Sequence, residues 1–144
     1  MRRSPLPNAR FRALVRDREK MAVQKKKVVA ILSDLMFIVK IQEAARRVGL
    51  ETVFVKTEED ALVQAQLDPA VIILDLNSNN IDPLQVIERL KSDVTTKKIN
   101  LLGYVSHVQA ELKQAAQDKG CDMVMARSAF SQNLPVILKR YSER

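Results

Sequence analysis

The sequence predicts an α/β domain built on a five-stranded, doubly wound parallel sheet. Five short strand-like runs recur, at 28–32, 52–55, 70–74, 100–105 and 122–126. Each is followed by a stretch with apolar residues at helical spacing. The first run, Val28-Val29-Ala30-Ile31-Leu32, is wholly apolar, as a strand buried on both faces must be, and such strands belong to parallel sheets covered by helices. Strands and helices that alternate through short connections imply right-handed crossovers.

The elements follow in order. Ser33-Asp34 stops the first strand, and a helix is expected over about 36–48, with Phe37, Ile38, Ile41, Ala45 and Val48 at helical spacing and Gly49 to end it. Thr52-Val53-Phe54-Val55 is the second strand. Thr57 caps the next helix, whose first turn carries Glu58, Glu59 and Asp60 at its positive end. Asp68-Pro69 breaks that helix before the third strand, 70–74. Polar residues 75–83 form a loop, and a helix over 83–92 turns Leu84, Val86, Ile87 and Leu90 inward. The fourth strand, 100–105, leads to a helix over 109–118 that Gly120 ends. After the fifth strand a last helix is expected over about 132–142, with Pro135 tolerated because it falls in the first turn.

Composition narrows the function. Hydrophobic residues make up 47% of the 144 but aromatics only 4%, so the core must be mainly aliphatic. The one cysteine, Cys121, forms no internal disulfide and is expected to pack as a small apolar residue, which fits a reducing compartment and a cytoplasmic protein. No stretch approaches the roughly 18 apolar residues of a membrane span, so no membrane partner is expected. The net charge of +7 is unevenly placed: residues 1–27 hold ten Lys/Arg against two Asp/Glu, whereas 28–144 hold fourteen against fifteen. The basicity therefore belongs to an N-terminal extension, 1–27, and not to the domain, 28–144. Residues 1–8 carry two prolines and read as disordered. A helix over about 8–23 would have Asn8 as its cap and Phe11, Leu14, Val15 and Arg18 on one face, a thin stripe that needs a docking partner. The domain, a second copy or another molecule would serve. Nucleic acid is an expected partner only through this extension.

In doubly wound sheets ligands collect beyond the carboxyl ends of the strands. That rule selects Ser33 and Asp34, then Asp75, then Ser106 and His107, then Arg127. Two carboxylates gathered at such a rim suit Mg²⁺ with waters and a phosphate, and a nearby hydroxyl and cation suit phosphoryl oxygens. Asp75 would then be a carboxylate nucleophile that accepts a phosphoryl group as an acyl phosphate. The structural alternatives are plain: Asp34 and Asp75 as caps, Ser106 as a strand-end hydroxyl, and Arg127 paired directly with Asp75.

The ordered set resembles the receiver domain of bacterial response regulators over about 28–142. Ser33-Asp34 stands at that family's acidic pair, and Ile72-Ile73-Leu74-Asp75-Leu76-Asn77 resembles the segment of its phospho-accepting aspartate. Asn79-Asn80-Ile81-Asp82-Pro83-Leu84 resembles the loop after it, Ser106 stands at the hydroxyl position, and Gly120-Cys121-Asp122 resembles the usual Gly-Ala-Asp. Arg127-Ser128 stands where Lys-Pro is usual. The resemblance implies a flavodoxin-like (receiver) topology, Asp75 as phosphoacceptor, Mg²⁺ held by Asp34, Asp75 and Asn77, and Ser106 and Arg127 as the phosphate and switch residues. It implies a histidine kinase or a downstream signalling protein as partner, leaves a homodimer open, and implies no enzyme beyond self-catalysed phosphoryl transfer to Asp75.

Five departures point to a degenerate site. Ser33 removes one acid of the pair. Arg127 replaces the compact lysine with a planar guanidinium. His107 stands where a small residue is usual and would crowd the phosphate. Ser128 replaces the proline whose cis bond shapes the loop, and Val124 replaces the aromatic that commonly moves on activation. The sequence thus favours a pseudo-receiver acting by protein–protein interaction, with contacts expected around Met123, Met125, Phe130 and the last helix. The alternative is a working single-domain regulator phosphorylated on Asp75, with no output domain expected after Arg144.

Overall fold

The structure, a computed structural model, describes residues 26–106 and 109–143. The expectations for the extension before residue 26, and for His107, lie outside the described residues.

Among the described residues five strands and five helices alternate: β1 Lys27–Ile31, α1 Leu35–Arg47, β2 Glu51–Val55, α2 Glu58–Ala65, β3 Val71–Asp75, α3 Pro83–Ser92, β4 Leu101–Val105, α4 Ala110–Lys119, β5 Met123–Ala126 and α5 Arg127–Ser142. The strands form one sheet in the order β2-β1-β3-β4-β5, and every pair is parallel. Strand order reverses between β1 and β3, so the carboxyl ends of those two strands open onto the switch-point crevice.

Period-two alternation along the strands splits the core into two layers. Val29, Ile31, Ile72, Leu74 and Leu101 face α2, α3 and α4, where Ala61, Val86, Ile87 and Ala116 meet them. Val28, Ala30, Val71, Ile73, Leu102 and Tyr104 face α1 and α5, where Phe37, Ile41, Phe130, Leu134 and Leu138 close the other side. Asp75 continues the second set, so its side chain belongs to the face that α1 and α5 cover.

Side chains fix the helix starts. The Asp34 carboxylate accepts hydrogen bonds from the Met36 and Phe37 amides at 3.0 and 3.2 Å, Thr57 Oγ1 accepts from the Asp60 amide at 3.1 Å, and Asp82 Oδ1 accepts from Gln85 at 3.3 Å ahead of Pro83. Gly120 ends α4 at φ +114°, in the left-handed region, and the Lys91 side chain lies where a Cβ would sit.

One element departs from expectation. α5 starts at Arg127, not near 132, and Pro135 lies inside it rather than in its first turn. Phe130, Leu134, Ile137, Leu138 and Tyr141 are all buried and share one helical face, so the apolar register already runs from Phe130. With Ser128 where a proline would interrupt, the chain passes directly from β5 into the helix. Pro135 withholds its amide from the Ser131 carbonyl, a defect this longer packed helix absorbs. The same register corrects the expected contact surface: Phe130 is wholly buried.

Candidate functional site at the carboxyl rim of the sheet

The strand-end residues gather at one rim, in two groups. In the first, Arg127 donates from its guanidinium to Asp34 Oδ2 while Oδ1 of the same carboxylate caps α1. The guanidinium carbon also lies 4.9 Å from the Phe37 ring centroid, a cation–π contact. Arg127 therefore pairs with Asp34 and not with Asp75, against the direct pairing weighed from the sequence. The reason is positional. Arg127 is the first residue of α5, Asp34 immediately precedes α1, and those two helices pack side by side on one face.

In the second group Asp75 Oδ1 accepts from the Asn77 amide at 2.9 Å. The Asn77 side chain turns away toward β4: its Oδ1 accepts from the Ser106 amide at 2.8 Å and from Ser106 Oγ at 3.0 Å. Its Nδ2 donates to Gln109 Oε1 at 2.8 Å. Asn77 and Ser106 are thus bonded to each other. Gln109 joins this network without having been singled out from the sequence, where it read only as a helix start.

Beneath the rim lies an aromatic floor that the sequence did not reveal. Tyr104 stacks on Phe130 with centroids 5.4 Å apart, and Phe37 leans on both rings at 4.8 and 5.9 Å. Tyr104 pairs with Asp75 across the sheet. Its buried hydroxyl has no partner among the described residues, and burial, then the Asp75 charge, pushes its pKa far up.

The two carboxylates are tuned in opposite directions. The Arg127 hydrogen bond, helped by the α1 amides, holds Asp34 below the usual carboxylate range. Burial lifts Asp75, and the Asn77 amide and the Arg127 charge only partly offset it. The signs of two substitutions follow. Asp34 contributes stability that is present above its unfolded pKa of about 3.9 and lost as pH falls through its lower folded value. Asp34→Asn should therefore lower the melting temperature at pH 7, and the difference should vanish in strong acid. Asp75 behaves inversely. Its ionisation costs stability as pH rises from about 3.9 through the raised folded pKa, so Asp75→Asn should melt higher at pH 7 and like the parent below about pH 3.5. Thermal scans of the three proteins across pH 3–7 test both signs, and a destabilised Asp75→Asn at neutral pH would contradict the second.

Among the described residues no three His, Cys, Asp or Glu side chains gather where they could share a metal ion. Both Asp34 oxygens are engaged, and the Arg127 guanidinium stands where a cation would neutralise that carboxylate.

No protein-family model matches the sequence, and no curated protein matches it either. Solved structures do. The phosphorylated cyanobacterial phytochrome response regulator RcpA aligns over 83% of this chain and 92% of its own, with 26% identity and a TM-score of 0.68. The domain has the receiver fold of response regulators. A putative response regulator from Chloroflexus aurantiacus shares that fold with a TM-score of 0.72 at 21% identity, over 83% of this chain and 99% of its own. So does the receiver domain of the sensor histidine kinase PA1611 from Pseudomonas aeruginosa, which has magnesium in its active-site cleft (TM-score 0.70, 12% identity, 83% and 99% covered). Receivers are signalling modules rather than enzymes of the ordinary kind. In this receiver-like fold the carboxyl rim carries Asp34, Asp75, Ser106 and Arg127, and among the described residues no helix is long and apolar enough to cross a membrane.

Proposed function

We propose that this receiver works as a fixed protein-binding module, a pseudo-receiver whose signalling does not need phosphate or a metal. The observation that carries this reading is the double engagement of Asp34, which caps α1 with one oxygen and pairs with Arg127 through the other. A divalent cation at Asp75 would have to take Asp34 from both partners and would bring its own charge up against a guanidinium. Ser33 adds no second carboxylate there. We read 28–144 as the receiver, 1–27 as a basic extension, the setting as cytoplasmic, and the partner as a signalling protein.

A second reading has its own support. Asp75 is only partly buried at the end of β3, and the 26%-identical cyanobacterial regulator is a phosphorylated one. Under that reading a histidine kinase phosphorylates Asp75 with Mg²⁺ held by Asp34, Asp75 and Asn77, and Arg127 and Ser106 draw toward the phosphoryl oxygens.

One experiment separates the two. The full chain and Asp75→Asn are incubated with Mg²⁺ and a small phosphodonor, and in parallel with Mg²⁺ and beryllofluoride. The pseudo-receiver is expected to gain no phosphoryl mass and to keep its amide spectrum, as Asp75→Asn does. A phosphoryl adduct on the parent that Asp75→Asn lacks would overturn the proposal in favour of the phosphorylation switch.

A further inference from the structure

The charge of the domain is near balance in sum but not in place. Its carboxyl rim gathers Asp34, Glu58, Glu59, Asp60, Asp75 and Asp82. The amino edge of the sheet, on the side that α1 and α5 cover, gathers cations instead. Lys26 and Lys27 stand at the start of β1, Arg46 and Arg47 at the end of α1, and Lys139 and Arg140 in the last turn of α5. The Glu51 amide bonds to the Lys26 carbonyl and the Leu50 amide to the Ala45 carbonyl, which brings the start of β1 to the end of α1. The two helices are held in register by the Asp34–Arg127 pair and by Lys40 Nζ, which donates to Ser131 Oγ at 2.7 Å. These ties join residues 93 and 91 positions apart. Since α1 and α5 run parallel, the same offset carries Arg46 and Arg47 to the level of Lys139 and Arg140, and all four are exposed.

We infer that this amino edge is a docking surface for the phosphate backbone of duplex nucleic acid. The first support is surplus charge. Six cations stand here against Glu43, Glu51 and Glu143, and the carboxyl ends of two helices offset only about one charge more. Arg46 and Arg47 share Glu43, while Lys26, Lys27, Lys139 and Arg140 have no ion pair among the described residues. Such ammonium and guanidinium groups are available to phosphate oxygens. The second support is continuity. Residues 1–27, which end in Lys26 and Lys27, hold ten Lys/Arg against two Asp/Glu, so the one strongly basic stretch of the chain enters the domain at this basic edge.

The kind of polyanion follows from what the edge lacks. No aromatic ring among the described residues is exposed, so unpaired bases have no platform to stack on and a single strand is a poor fit. On this side only Val136, among the exposed large hydrophobics, lies within a turn of the cluster, whereas Leu35, Met36 and Val39 belong to the first half of α1. A lipid surface requires a broader apolar face. A duplex presents one phosphate charge per about 1.7 Å of its axis and can be held by charge alone, without regard to sequence. The acidic rim at the far end turns the domain so that this edge leads toward a polyanion. Asp75 lies at the opposite end of the strands, so neither surface blocks the other.

The test uses the full chain and a labelled DNA duplex of about twenty base pairs, with binding read by fluorescence anisotropy from about 0.05 to 0.2 M salt. Lys139→Gln/Arg140→Gln and Arg46→Gln/Arg47→Gln each remove two cations of the edge, one pair from each helix. Lys56→Gln/Lys113→Gln removes two exposed cations elsewhere and is the control for net charge. Every position is exposed, so all three variants should fold. The parent is expected to bind with log affinity falling linearly in log salt. Each edge variant should bind about tenfold more weakly at about 0.1 M salt and show a slope shallower by about two, while the control stays within about twofold of the parent. Edge variants that behave like the control would overturn the inference and leave binding to residues 1–25 alone. An absence of binding by the parent at the lowest salt would overturn it too, as would tighter binding to vesicles of phosphatidylserine and phosphatidylcholine, which would assign the edge to a membrane.

Discussion

Replacing Phe130 with alanine is expected to destabilise the domain by about 3–5 kcal/mol, the cost of deleting a fully buried aromatic side chain. Phe130 has no exposed surface and forms one wall of the trio with Tyr104 and Phe37. Its removal therefore forfeits ring contacts as well as transfer energy. The cavity would open directly beneath Asp75 and Arg127. Neither neighbouring ring can fill it readily, since Tyr104 is held in β4 and Phe37 in the first turn of α1. Urea unfolding should show a lower midpoint at an unchanged slope, the mark of a stability change without a change in the unfolded state. Phe130→Leu retains most of the volume and should cost less than about 1.5 kcal/mol. A loss below that same figure for Phe130→Ala would show that the trio is not the close-packed floor described above.

The second large effect lies at the opposite end of the sheet. The Lys91 ammonium donates to the Lys97 and Ile99 carbonyls at 3.0 and 2.9 Å and to Asp122 Oδ2 at 2.9 Å. The same Asp122 oxygen accepts the Leu101 amide at 2.8 Å. One cation thus ties the end of α3, the entry to β4 and the turn before β5. Its side chain is only 17% exposed, so water replaces little of what is lost. Lys91→Met keeps the stem that packs on Gly120 and removes only the charge and its three bonds. A loss of about 1–2 kcal/mol is expected, since three charge-assisted bonds go but water still reaches the 41%-exposed Asp122 carboxylate. Asp122→Asn in the same background should be far less than additive, because the two groups share one network. Additive losses in a double-mutant cycle would show that the lysine acts alone.

How much of this the sequence could reveal depended on distance along the chain. Strands, caps and glycine stops are written locally: Thr57 before three acids and Gly120 after a helical run carry their own explanation. Parallel order followed from the alternation of elements. The start of α5 was not legible in the same way, because Pro135 suggested a first turn while the buried register from Phe130 argued otherwise, and only packing decides between them. Arg127 illustrates the deeper limit. That it would stand at the rim could be read from its place after the fifth strand, but which carboxylate it would take depends on how closely the start of α5 packs against the start of α1. Asp34 and Arg127 are 93 residues apart, and no local signal links them. The Tyr104 hydroxyl, without a partner among the described residues, and the Asn77–Ser106–Gln109 network were hidden for the same reason.

The Asp34 carboxylate fastens the first turn of α1 to the first turn of α5, the two helices that cover one face of the sheet. A ligand that wedges them apart must unfasten this clasp, exposing one carboxylate and one guanidinium to solvent together. Any movement that parts these two helices must therefore break an ion pair at the rim as well as their apolar contacts.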